Sequence, residues 1–158
     1  MDLMTKIDIP TSEWTIPAGS NILLVGSCFA DNIGCKMQKG GFNAMVNPFG
    51  TLYNPASIAS ILSHTLDGTP YTPESPELLN DSTGLWHSWM HHSRFSSDNR
   101  DSLLDSINTT QSSVLDFLRH ADVLIITLGT AIIYRLKSTG MLVANCHKQH
   151  DSLFIRER

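Results

Sequence analysis

A serine followed by a cysteine, in Val25-Gly26-Ser27-Cys28-Phe29-Ala30, stands where an apolar run gives way to apolar residues spaced by three and four. In parallel α/β sheets such a strand-to-helix junction is where ligands gather, because the helix N-terminus offers unpaired N–H groups and positive potential. A hydroxyl placed there can attack a carbonyl. Gly26 would let the backbone turn sharply, and the N–H of Cys28 could hold the oxyanion formed on attack. The competing role for Ser27 is a plain N-cap, which strand-to-helix turns commonly need. The surroundings do not match Gly-x-Ser-x-Gly, so the nucleophile elbow of the α/β-hydrolases is not supported. Cys28 is a second candidate nucleophile, since a helix N-terminus favours a thiolate. Its side chain is expected to turn away from that of Ser27, towards the interior, as a small buried thiol. Asp31 falls in the first helical turn, where the helix dipole favours a carboxylate without any catalysis.

The histidines are the candidate bases. His147, in Asn145-Cys146-His147-Lys148, follows a predicted hairpin near the end of the strand that contains Ile126, so it could face the same rim as Ser27. His87, His91 and His92 form a second cluster. His87 and His91 are four apart and would share one face of a helix, as metal ligands can. No third ligand is indicated, and with Trp86, Trp89 and Phe95 interleaved the stretch reads as a packing surface or substrate-contact loop. No metal and no cofactor is expected. His64, His120 and His150 carry no functional reading.

These residues need elements to position them. Asn21 to Gly26 is a short continuous apolar run of the kind a strand buried on both faces shows. Phe29, Ala30, Ile33 and Met37 predict a helix that stops at Gly40-Gly41, and Phe42 to Val46 a second strand, giving a βαβ unit. Asn54 is placed to cap a helix beginning at Pro55 and running to Leu66. The stretch 67–80, with Pro70, Pro73 and Pro76, reads as an irregular excursion, not a linker. Leu85 to His92 reads as a strand or hairpin, and Arg100 to His120 as a long helix. Asp122 to Gly129 is the clearest buried strand in the sequence, and Ala131–Leu136 with Met141–Ala144 a hairpin turning at Gly140. The closing residues, Leu153 to Arg158, look like the opening of an amphipathic element with no partner in sight.

The chain has 158 residues, 41% hydrophobic and 16% charged, which fits one domain spanning 1–158 with a single core and excludes disorder. Eleven Lys+Arg against 15 Asp+Glu leave a net charge of −4, so duplex nucleic acid and an anionic membrane surface are not expected partners. No apolar run approaches the ~20 residues that span a bilayer, and no signal peptide is readable at the N-terminus. A cytoplasmic location is the expectation. Cys28, Cys35 and Cys146 are odd in number and include no Cys-x-x-Cys, so free thiols are expected.

Gly26-Ser27-Cys28-Phe29-Ala30 is the pentapeptide for which the GSCFA family is named, and the chain resembles that family in three further stretches. These are Asn47-Pro48-Phe49-Gly50-Thr51-Leu52-Tyr53-Asn54-Pro55, Thr127-Leu128-Gly129-Thr130-Ala131 and Asn145-Cys146-His147-Lys148. The resemblance implies a relation to the SGNH (GDSL-like) hydrolases, which are esterases and lipases with a flavodoxin-like, three-layer α/β fold on a parallel sheet and no metal. On that resemblance Ser27 matches the nucleophile, and Gly50 matches by position the glycine whose N–H serves the oxyanion hole. The Gly-x-Asn-Asp block of those enzymes corresponds to Gly129-Thr130-Ala131-Ile132, in which both polar residues are missing. Asn145 or Asn47 is the alternative donor, although neither aligns with that block. The Asp-x-x-His that supplies their base occurs nowhere after Ser27. The expectation is therefore an N-terminal portion of the family domain, an incomplete version of the fold in which the usual triad cannot hydrolyse.

Two functions compete on this reading. One is an SGNH-like serine ester hydrolase, of which a carbohydrate O-deacetylase is one form, acting on a small-molecule or carbohydrate ester, with Ser27 attacking and the Cys28 and Gly50 N–H groups as oxyanion donors. Asn47, Gly129, Thr130, Asn145 and His147 would line its pocket. The other is a catalytically silent module that keeps the pocket and binds a carbohydrate or acyl group through Trp86 and Trp89. An incomplete fold would also expose a sheet edge, and a homodimer is the expected consequence.

Overall fold

The computed structural model describes residues 7–8 and 10–158 of the chain. Strand β1 (Asn21–Gly26) lies between two parallel neighbours, β2 (Asn43–Val46) and β5 (Val123–Thr127), in the order β2-β1-β5. Register pairs Ile22 with Ala44 on one side and with Val123 on the other. Parallel strands need crossovers, and helices supply them. Helix α1 (Cys28–Lys39) joins β1 to β2, while α2 (Pro55–Asp67) and α3 (Arg100–Leu118) lie between β2 and β5 in the chain.

Alternation along β1 decides which helix covers which face. Ile22 and Leu24 pack with Ile33 and Met37 of α1, whereas Leu23 and Val25 pack with Ile58 and Ile61 of α2 and Val114 of α3. All four β1 residues are fully buried, each contributing roughly 1.5–3 kcal/mol by leaving water. The result is a three-layer α/β arrangement on a parallel sheet, compatible with part of a flavodoxin-like fold.

Helix ends follow the sequence signals. Ser27, Asn54 and Asn99 cap α1, α2 and α3, each accepting a first-turn N–H through its side chain. Gly40 ends α1, and Gly68, in the left-handed region, ends α2. The proline-rich excursion is fastened to α3, because Asn108 bonds both the N–H and the carbonyl of Tyr71, and Gln111 donates to the Thr69 carbonyl. Its last residues form β3 (Leu78–Asn80), which makes a hairpin with β4 (Trp86–Ser88).

Two expectations change. The apolar run of β5 is not buried on both faces: Val123 and Ile125 pack towards α1, but Leu124 and Ile126 are 45% and 46% exposed, followed by Leu128 at 58%. Helices α2 and α3 cover β1 on that face and stop short of β5. The closing residues are also not without a partner. Strand β8 (Phe154–Glu157) pairs antiparallel with β6 (Ile133–Leu136), which pairs on its other side with β7 (Leu142–Val143). Trp89, Val143 and Phe154 form the small core beneath this second sheet. Among the described residues no helix is long and apolar enough to cross a membrane.

Candidate functional site

Ser27 sits at the carboxyl end of β1 with an extended backbone (φ −72°, ψ 177°), and two neighbours hold it. Its N–H donates to the Thr127 carbonyl and hydroxyl oxygens, both at 3.0 Å. Its Oγ accepts the Phe29 N–H at 3.3 Å and lies 3.1 Å from the Thr127 hydroxyl. The cap and the candidate nucleophile are thus one atom. Ser27 is 6% exposed. Gly129 runs directly past it, so near that a Cβ there would lie 3.5 Å from the Ser27 Cβ and 2.9 Å from the Tyr53 ring. The N–H groups of Gly129 and Thr130 both donate to the Tyr53 carbonyl, at 2.8 and 3.0 Å. Thr130 turns its hydroxyl to the Ile132 N–H and lines a separate surface cavity with Arg156 and Arg158.

Cys28 departs from expectation: its thiol side is exposed, not turned inward, because α1 presents its first residue to solvent. The Cys28 N–H belongs to the first-turn donors that an α-helix cannot pair internally. Gly50 differs. Its N–H donates to the Asn47 carbonyl at 2.8 Å, closing a turn, so that donor is already engaged. The loop is pinned from outside by Arg94, whose guanidinium donates to the carbonyls of Asn47 and Pro48.

Asn47 acts as a clamp. Buried, it accepts the Gly26 N–H at 2.8 Å and donates to the Ser27 carbonyl at 3.3 Å and to Asp31 Oδ1 at 2.7 Å. Asp31 is thereby a partner of the clamp as well as a first-turn acid. Asn47→Ala is expected to lower stability by about 2–4 kcal/mol, since it leaves the Gly26 N–H and the Asp31 carboxylate without partners. Urea unfolding of the two proteins checks this, and a loss below about 1 kcal/mol would contradict it.

His147 does not reach Ser27. Its Nε2–H donates to the Ser88 carbonyl at 2.8 Å, and its Nδ1 faces the Ser93 hydroxyl at 3.3 Å, so neither ring nitrogen is left for the β1 end. Burial pushes it below the ordinary imidazole value, against the opposing effect of the Ser88 carbonyl. Asn145 orients this residue by accepting the His147 N–H at 2.9 Å, while its Nδ2 donates to Ser93 Oγ. Both reach this position because the N–H groups of Ala144 and Asn145 donate to the Trp89 carbonyl. With Thr51, Tyr53 and Tyr134 they line a cavity of about 350 Å³, which Ser27 does not line. Trp89 is 4% exposed, packed on Phe154 and unable to offer its face to a sugar.

His87 and His91 share no helical face, since a strand and a turn hold them. His87 bonds Asp81 and Ser96, and His91 bonds Ser88. Sequence reading passed over Asp81, Ser96 and Arg94. Their partners lie six, nine and 46 residues away with no recurrent spacing, and only the folded loops bring them together.

The family model described as the GSCFA family matches residues 21–158, the greater part of the chain. No curated protein and no solved structure matches it.

Proposed function

The chain belongs to the GSCFA family, and on that premise we propose that the carboxyl end of β1 is an ester site of the SGNH-like serine-hydrolase type, with Ser27 in the nucleophile position. The supporting observation is the placement of the Ser27 hydroxyl between a helix N-terminus and Thr127, with the Gly129 backbone beside it. A small-molecule or carbohydrate ester is the substrate class. In the attack the Ser27 oxygen would bond to the acyl carbon, and the Cys28 N–H would receive the developing oxyanion.

Among the described residues the Ser27 proton has no acceptor suited to the task. Thr127 is a hydroxyl, and His147 and His87 are occupied elsewhere. General-base assistance contributes about 10²–10⁴-fold, so hydrolysis at Ser27 by this chain alone is silent. Small imidazole should restore part of it. Hydrolysis of a short-chain aryl ester, measured over an imidazole blank, is expected to be equal in the wild type and Ser27→Ala without imidazole. With imidazole the part of the rate that Ser27→Ala removes should rise at least about tenfold. Equality under both conditions would favour the second reading, a non-catalytic acyl- or carbohydrate-binding module. The internal engagement of the Gly50 N–H and of Asn47 is the observation on that side.

A further inference from the structure

A different serine in this chain does have a base. His87, on β4, is buried, and its two ring nitrogens meet two side chains: Nε2 lies 2.9 Å from Asp81 Oδ2, and Nδ1 lies 2.6 Å from Ser96 Oγ. In the neutral ring the carboxylate, which can only accept, fixes the proton on Nε2. The Nδ1 lone pair then faces the Ser96 hydroxyl, which must donate to it. That is the hydrogen-bond logic of an acid–base–nucleophile relay with the two ring nitrogens exchanged. Asp81 is itself locked. Its Oδ1 accepts from the Thr83 hydroxyl at 2.6 Å, the Thr83 N–H at 2.8 Å and the Leu85 N–H at 3.1 Å. Those bonds, that of the Thr83 hydroxyl foremost and then that of His87, hold its carboxyl well below the usual range, so it stays an acceptor for His87.

The relay opens on space. Asp81, Leu85, His87, Ser96, His147 and Lys148 line one cavity of about 390 Å³. The His147 ring lies against His87 with centroids 4.5 Å apart and the two planes inclined by 30°. Lys148 brings a cation and Leu85 an apolar side chain to the same wall. A relay of this kind without a cavity would be ordinary internal satisfaction of polar groups. Here the nucleophile, the base, a cation and an apolar contact all border the same void.

We propose that Ser96, His87 and Asp81 form a second serine-nucleophile centre, distinct from Ser27, that takes the acyl group of a small carboxylic ester held between Leu85 and Lys148. As the Ser96 Oγ–acyl carbon bond forms, its proton passes to His87 Nδ1. The Lys148 ammonium faces the negative oxygen of the tetrahedral adduct. Collapse breaks the bond to the alcohol oxygen, which leaves carrying the proton from Nδ1. Water then cleaves acyl-Ser96 by the same proton path in reverse order. Ser96 and His87 are the catalytic residues, and Asp81 is a positioning residue that acts through the ring.

A fluorophosphonate probe tests this directly, because Ser Oγ displaces fluoride and leaves a stable phosphonyl adduct that peptide mass mapping places. The expected result in the 158-residue chain is an adduct on Ser96 that forms without added base, persists in Ser27→Ala and is absent in Ser96→Ala. His87→Gln should slow labelling at least tenfold. Asp81→Asn should slow labelling at Ser96 and Asp81→Glu should restore part of the rate, a rescue that a merely structural role would not give. A wild-type chain that carries no adduct on Ser96, or one labelled at the same rate in His87→Gln, overturns the proposal. Because mapping separates Ser96 from Ser27, its outcome is independent of that at Ser27.

Discussion

Gly26→Ala is expected to lower stability by about 2–6 kcal/mol. Gly26 holds φ at +146°, a conformation that costs an L-residue roughly 1–3 kcal/mol. Its ideal Cβ would overlap the Thr127 carbonyl oxygen and lie 2.6 Å from the Thr127 hydroxyl, and forced overlap in a packed region costs a further ~1–3 kcal/mol. The obstacle is backbone of the neighbouring strand, so no side-chain rotation relieves it. That same carbonyl accepts the Ser27 N–H at 3.0 Å, so relief by strand separation would also loosen Ser27. Gly41 is the control: it too has a positive φ, of 88°, but nothing lies within 4 Å of its Cβ position. Gly41→Ala should cost only about 1 kcal/mol, the conformational part alone. Urea midpoints of the two variants separate the effects, and equal losses would show that contact with Thr127 contributes nothing.

Acid should destabilise the protein long before its carboxylates titrate, and His91 is the cause. Its ring is 1% exposed, set among Phe49, Tyr71 and Phe95. Ser88 Oγ accepts the Met90 N–H and lies 2.8 Å from His91 Nδ1, while His91 Nε2 has no partner. Burial pushes His91 down to about 3, with the charges of His64, His147 and Arg94 acting in the same direction. The unfolded chain therefore binds a proton near pH ~6.5 that the folded chain refuses until about pH 3, and stability falls with pH across that window. The loss by pH ~4 is on the order of 3 kcal/mol, at 1.36 kcal/mol per pH unit. His147, also pushed down by burial, adds to the same slope. Urea unfolding between pH 7 and pH 4 measures it. His91→Phe should retain less than half of the wild-type slope, and a wild-type stability that is flat over this range would contradict the assignment.

Local signals carried the parallel core. The continuous run Asn21–Gly26, the three-and-four spacing after Cys28 and the Asn54-Pro55 cap each express a constraint satisfied within a few residues, so they read correctly from the sequence. Exposure of β5 did not read, because Leu124 and Ile126 are apolar in type and only the reach of α2 and α3 decides whether they are covered. Strand β8 was missed for a related reason, since its partner β6 lies about 20 residues upstream and Phe154–Glu157 shows no clear period alone. At the site, Ser27 was legible as both cap and nucleophile, and the structure has it capping. Its contact with Thr127 spans 100 residues and leaves no local trace. Asn47 and Gly50 were legible as important positions but not as bonded ones, because their roles depend on backbone turns that residue types alone do not reveal. His147 was legible as a residue that could face the same rim as Ser27; its ring bonds the Ser88 carbonyl and lines a cavity with Asn145.

Ser27 is proposed to occupy a nucleophile position for which no described residue supplies the base. Site-resolved mass mapping after fluorophosphonate treatment, with and without imidazole, tests it most directly. The predicted result is a Ser27 adduct that accumulates at least about tenfold faster with imidazole and is lost in Ser27→Ala. A Ser27 adduct formed equally fast without imidazole would show that a base within the chain reaches it. No adduct on Ser27 under either condition would show that its hydroxyl is a helix cap and nothing more.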